Sequence, residues 1–161
     1  IGLYHFVLMS NHVHLLLQTM KPDTISRFMQ CLTAAYARYY NRKYQTSGHV
    51  WQGRFTSIII QSEQYYLSCA RYIELNPVRA DIAPHPNAYR WSTYCHSVGK
   101  KRIAWLDAHP LFLAYGSRSY EQFTQEALSQ ARSYPGDGFS RLRIYGNEAF
   151  VRDLERRLVK M

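Results

Sequence analysis

The spacing of apolar positions changes period several times along the chain, and each change marks an element. Leu3 to Met9 is a dense apolar and aromatic run, Ser10-Asn11 is a turn-forming pair, and His12 to Gln18 is a second apolar run. Two such runs joined by a short polar pair predict a β-hairpin. From Pro22 to Lys43 the spacing becomes helical: Ile25, Phe28, Met29, Leu32, Ala35, Tyr36 and Tyr39 recur on one face, after Asp23 and Thr24 as possible caps. At 100° per residue, Arg27, Arg38 and Arg42 fall within about 60° of one another and give that helix a basic edge. Gly48 breaks the pattern. Phe55 to Gln61, with Ile58, Ile59 and Ile60, then reads as a buried strand. Ser62-Glu63 opens a second helix, expected to stop near Asn76 because Pro77 disfavours helical geometry in the residue before it. Beyond that, Pro84, Pro86 and Pro110 punctuate an irregular stretch. Tyr120 to Arg132 and Glu148 to Lys160 read as helices, separated by a turn cluster at Tyr134 to Gly138.

Composition narrows the class. The 161 residues, 47% hydrophobic, suffice for one substantial core rather than two large domains. Lys and Arg outnumber Asp and Glu by 20 to 11, a formal charge of +9, which favours a polyanionic partner. The chain offers no run long and apolar enough for a membrane span, so no membrane role is expected. Cys31, Cys69 and Cys95 are odd in number, widely spaced and without a CxxC pair, which argues against a disulfide framework and suits a reducing cytoplasm.

Three clusters carry possible chemistry. His12-Val13-His14 places two imidazoles on one face of a strand, side by side, where they can chelate a divalent ion. Alone, the tripeptide fits two ordinary core or edge histidines better. Tyr72 and Asn76 are four residues apart, hence neighbours on one helical face, with an amide oxygen one turn from a phenol. Taken singly this is an aromatic stripe shared with Tyr65, since the chain has 14 tyrosines. Trp51-Gln52-Gly53-Arg54-Phe55 combines rings, a glycine and an arginine, suited to stacking on bases and meeting phosphate. A turn that seats two rings in the core is an equal reading.

Together and in this order, His12-Val13-His14, Trp51 to Phe55 and Tyr72-Ile73-Glu74-Leu75-Asn76-Pro77-Val78-Arg79 resemble the REP-associated tyrosine transposases, a branch of the HUH single-strand DNA transposases. The resemblance runs from about Tyr4 to Ala80, with a looser echo at Trp91 to Tyr94, Trp105 to Asp107 and Asn147 to Phe150. It implies that His12 and His14 are paired metal ligands, that Asn76 is the third, and that Tyr72 is the nucleophile. It also implies Mg²⁺ or Mn²⁺, although Zn²⁺ would bind the histidines too. The implied substrate is single-stranded DNA beside a palindromic, hairpin-forming repeat, cut through a 5′-phosphotyrosine intermediate. Ser10 stands where the family usually has proline. Family members also carry a further strand and helix before the segment that opens here, so a missing N-terminal portion is expected.

The expected fold is a ferredoxin-like α/β sandwich with an antiparallel sheet that carries His12 and His14. Residues 1–82 would form the catalytic core and 83–161 a mostly helical extension packed on it. Trp51, Gln52, Arg54, Arg27, Arg38 and Arg42, together with Lys100, Lys101 and Arg102, are the expected DNA contacts. The protein would act in the cytoplasm, at the nucleoid, as a monomer or homodimer. The alternative is a nucleic-acid-binding regulator on the same fold, with Tyr72 structural; a water-using metallohydrolase on the same histidines is a third reading.

Overall fold

A computed structural model describes residues 1–21, 24–131 and 144–158. The chain is mixed α and β. Strand β1 (Gly2–Leu8) and strand β2 (Val13–Gln18) form a two-stranded sheet. Helix α1 (Thr24–Tyr44) follows, then a short strand β3 (Ile59–Ile60) and helix α2 (Ser62–Arg79). A 3₁₀ turn (Pro86–Ala88) leads to α3 (Tyr94–Ser97), α4 (Pro110–Tyr115) and α5 (Ser117–Ala131). Strand β4 (Ile144–Tyr145) and helix α6 (Glu148–Leu158) complete the described elements. Among the described residues, no helix is long and apolar enough to cross a membrane.

The chain divides into two compact units. One is residues 18–57 with Ile1, that is, α1 and the loop after it; the other is residues 2–17 with the described residues from Ile58 on. In the second unit, Val7, Met9, Leu16, Tyr66, Cys69, Ala70, Ile73, Tyr94, Val98 and Tyr120 share one apolar cluster. Burying such a set is what holds hairpin, α2, α3 and α5 together. The hairpin is closed by the Met9 N–H donating to the His12 carbonyl at 2.9 Å. The outer edge of β1 is covered by the chain returning after α2: Val7 pairs antiparallel with Ser92, and the Leu8 and Thr93 amides donate to Trp91 and Phe6 carbonyls.

Three expectations need correction. The isoleucine run is not a buried strand of the histidine-bearing sheet. Only Ile59–Ile60 is extended; it pairs in parallel with β4, and Ile59 is exposed. Branched side chains favour extended backbone only where a partner strand offers a pleated surface, and here the partner is two residues long. Secondly, α2 does not stop at Asn76: it runs through Pro77 to Arg79. Proline removes a single rung of the ladder, and near a helix end that loss is local. Carbonyls around it are satisfied by amides just past the helix, with Ile82 N–H donating to Pro77 O at 2.9 Å and Asp81 N–H to Val78 O at 3.1 Å. With Asp81 at a φ of 52°, this is the paired-bond, left-handed helix stop, set three residues later than expected. Thirdly, the stretch punctuated by Pro84, Pro86 and Pro110 is not irregular throughout: Pro110 opens α4 at its first turn, where the missing N–H costs nothing. The caps and ends assigned to Asp23, Arg132 and Lys160, and the turn cluster at Tyr134 to Gly138, lie outside the described residues.

Candidate active site

The tight hairpin turn delivers His12 just before β2 and His14 within it. Period-two alternation then sets the two rings side by side, with centroids 4.9 Å apart and planes at 88°. His12 is exposed and His14 half-buried. The His12 Nδ1 lies 2.6 Å from the Asn11 Oδ1. A carboxamide oxygen only accepts, so Nδ1 carries a proton and Nε2 is the nitrogen left to face an electrophile. His14 has no hydrogen-bond partner among the described residues. Burial, and then the neighbouring His12, pull its pKa down to about 4, so the ring is uncharged and nucleophilic at nitrogen near neutral pH.

Helix α2 supplies the other half. The Tyr72 ring sits edge-on to His14, centroids 6.0 Å apart. One turn on, the Asn76 Nδ2 donates to the Tyr72 carbonyl at 3.0 Å, which fixes the amide and leaves Oδ1 as its remaining acceptor. Two turns on, the Arg79 guanidinium lies over the Tyr72 ring, 4.6 Å from its centroid. Both Tyr72 and Asn76 are half-buried, hence reachable from solvent. The contact chain is therefore His12, His14, Tyr72, with Asn76 and Arg79 alongside on the same helix.

Would this set hold a metal? Among the described residues, no group of three His, Cys, Asp or Glu side chains is placed to bind one. The donors present are two adjacent imidazoles, one oriented by a hydrogen bond to its other nitrogen, and the Asn76 amide oxygen one turn from Tyr72 on α2. That set fits a divalent ion bound with several positions left to other ligands, and it lacks the thiolates and third imidazole of a closed zinc site.

The stretch that comparison picks out coincides with this geometry. Residues 1–76 match the family model described as "Transposase IS200 like". The IS200-like stretch holds the paired histidines, Trp51 to Phe55, Tyr72 and Asn76, and ends before Arg79. It leaves the rest of the 161-residue chain, including α3 to α6, unmatched. No curated protein and no solved structure matches the chain.

The remaining sequence-predicted residues lie elsewhere. Trp51, Gln52, Arg54, Arg27, Arg38 and Arg42 all belong to the other compact unit. There Trp51 is half-buried, its Nε1 donates to the Thr33 carbonyl at 3.0 Å, and its ring is 5.3 Å from that of Tyr36. Gln52, Arg54, Arg27, Arg38 and Arg42 are exposed. The stripe expected to be the apolar face of α1 is largely in solvent: Leu32, Tyr36 and Tyr39 are exposed and only Met29 is buried. Lys100 pairs with Glu121 at 2.7 Å, while Lys101 and Arg102 are exposed.

Sequence reading missed three residues that shape the site. Asn11 orients His12. Arg79 covers Tyr72; with the helix expected to end at Asn76, its place two turns beyond Tyr72 was lost. Glu74, fully buried on the opposite face of α2, anchors the helix against the hairpin. Its Oε1 lies 2.9 Å from the His5 Nδ1 and accepts from Thr93 and Ser97 hydroxyls at 2.7 Å; its Oε2 accepts from the Tyr120 hydroxyl at 2.9 Å. Burial alone would raise the Glu74 pKa, but the pull of His5 and the two hydroxyls outweighs it and holds the carboxyl below its ordinary value.

Proposed function

We propose that the protein is a transposase that cleaves and rejoins single-stranded DNA, with Tyr72 as nucleophile and His12, His14 and Asn76 as ligands of Mg²⁺ or Mn²⁺. The observation that carries this reading is the run of contacts from His12 through His14 to the Tyr72 ring. The IS200-like match over the same residues supports it. The finer assignment, a REP-associated tyrosine transposase on a ferredoxin-like core acting beside a hairpin-forming repeat, belongs to the same proposal. So does action in the cytoplasm, on nucleoid DNA, as a monomer or homodimer.

Phosphoryl transfer needs a nucleophile in line with the leaving oxygen and positive charge on the phosphoryl oxygens as charge develops there. When bound, the divalent ion supplies that charge. His14, held uncharged by burial, keeps a nitrogen lone pair to donate, and Asn11 keeps His12 from turning its hydrogen-bonded nitrogen inward. Tyr72 Oη attacks phosphorus, the bond to the 3′-oxygen breaks, and the 3′-oxygen takes up a proton in place of the one the phenol loses. The products are a 5′-phosphotyrosine and a free 3′-hydroxyl. Because the bond energy stays in the covalent link, attack by another 3′-hydroxyl rejoins strands without ATP.

A non-catalytic reading has one observation in its favour: the exposed rings and arginines of α1 would stack on and track a single strand without any chemistry. One experiment separates the two. The protein is incubated with a hairpin-flanked single-stranded oligonucleotide and Mn²⁺ and run on a denaturing gel. A covalent adduct that vanishes in Tyr72→Phe supports catalysis. Binding without an adduct supports the regulator, and cleavage without an adduct supports a water-using hydrolase.

A further inference from the structure

We propose that Arg79 forms an anion site beside Tyr72 and holds the phosphoryl group that Tyr72 attacks. The identification of that anion as a phosphodiester rests on the function proposed above; the anion site itself rests on how Arg79 is placed.

Helix α2 carries two half-buried arginines, and they differ in what they do with their charge. Arg71 is spent on the fold: its Nη1 donates to the Phe123 carbonyl at 3.0 Å and its guanidinium lies 3.7 Å from the Phe123 ring centroid. Arg79 is not. It lies over the Tyr72 ring, its Nε is buried, and that Nε has no hydrogen-bond partner. Among the described residues no carboxylate pairs with it. A buried N–H left unmade is expensive, and a partly desolvated cation without a counter-charge more so. Burial lowers the Arg79 pKa, and Arg71 adds to the effect against the opposing pull of Tyr72. A cost of this kind persists in a folded protein where a ligand removes it, and the ligand that suits a planar fork of N–H donors is an oxyanion.

Position makes that oxyanion the one Tyr72 would attack. A phosphate joined to, or in line with, the phenol oxygen lies just beyond the ring that Arg79 covers, with His14 on the ring's other contact. Arg79 would donate N–H bonds to the non-bridging oxygens; no proton leaves it, and no bond forms or breaks at the guanidinium. Charge that grows on those oxygens in the transition state strengthens these bonds, so the effect falls on turnover more than on substrate binding.

The test reads the Arg79 Nε–H resonance of ¹⁵N-arginine-labelled full chain in metal-free buffer, identified by its loss in Arg79→Lys, during titration with inorganic phosphate. A saturable shift at Arg79, with Arg71 unmoved and chloride at equal ionic strength without effect, is expected. No shift, or equal shifts at both arginines, overturns the proposal. In the adduct assay, Arg79→Gln should lower kcat about 100-fold with little change in KM, and Arg79→Lys should restore part of it. An unchanged kcat in Arg79→Gln also overturns it. Phosphate binding at Arg79 in a protein that forms no DNA adduct upholds the anion site and removes the transposase reading.

Discussion

His5 and His14 stand on neighbouring strands of one hairpin, and both meet α2, yet they are finished differently. His5 is 3% exposed and both its ring nitrogens are engaged, Nδ1 with Glu74 and Nε2 with the Tyr66 hydroxyl at 3.0 Å. His14, deep enough for burial to lower its pKa, has neither nitrogen bonded among the described residues. The same division runs around α2. Glu74 faces inward with every oxygen used, while on the other side of the helix Tyr72 meets His14, and Asn76 and Arg79 beside it keep an amide oxygen and a guanidinium N–H to spare. Saturated polar groups belong to the fold; those left unsaturated at real cost mark where a ligand completes the structure.

The comparison breaks most sharply at the proposed nucleophile. Tyr72→Phe removes one oxygen and little packing, so adduct formation should fall on the order of 10³-fold or more while the melting temperature barely moves. A surviving adduct would place the chemistry elsewhere. On the saturated side the outcome should invert. Glu74→Ala leaves His5, Thr93, Ser97 and Tyr120 facing a hole, and should cost about 3–5 kcal/mol by chemical denaturation, with no specific loss of activity in the fraction that stays folded.

The Glu74 carboxyl also gives a pH signature. Its folded pKa lies below the ordinary 4.5, so the unfolded state takes up protons first as pH falls. The stability it contributes is complete above about pH 4.5 and is lost as acidification proceeds toward the folded value. Melting temperature tracked from pH 7 to pH 3 should drop in the lower part of that range, and Glu74→Gln should flatten the drop. A curve of unchanged shape would mean that another carboxylate controls acid stability.

Smaller effects belong to the histidine pair. His14→Ala should weaken Mn²⁺ binding, read by calorimetry, by about 100-fold, and cost less stability than Glu74→Ala. Asn11→Ala, which frees His12 to turn, should weaken the same binding only about tenfold. Equal effects from the two variants would argue that the ion does not use both rings as described.

The hairpin and the start of α2 were legible because their information is local: alternation of two put both imidazoles on one face, and a spacing of four put Asn76 beside Tyr72. The isoleucine run misled because extended propensity says nothing about which partner strand arrives. Pro77 misled for a related reason, since the helix end is set by the amides of Asp81, Ile82 and Ala83, which take up the Val78 and Pro77 carbonyls from beyond the proline. That error hid Arg79. Glu74 was illegible altogether: its partners lie 69 residues before it and up to 46 after it, and nothing near position 74 announces them.

The proposed function puts the chemistry on the Tyr72 hydroxyl, beside His14 and Arg79, and that claim can be tested at the residue itself. Trypsin cuts after Arg71 and Arg79, isolating Tyr72 on a peptide with no other tyrosine. The most direct measurement is mass spectrometry of that peptide after reaction with the hairpin oligonucleotide and Mn²⁺ and nuclease trimming of the DNA. A nucleotide 5′-phosphate on Tyr72 is the predicted result; an adduct mapped to any other residue, with this peptide unmodified, would contradict it.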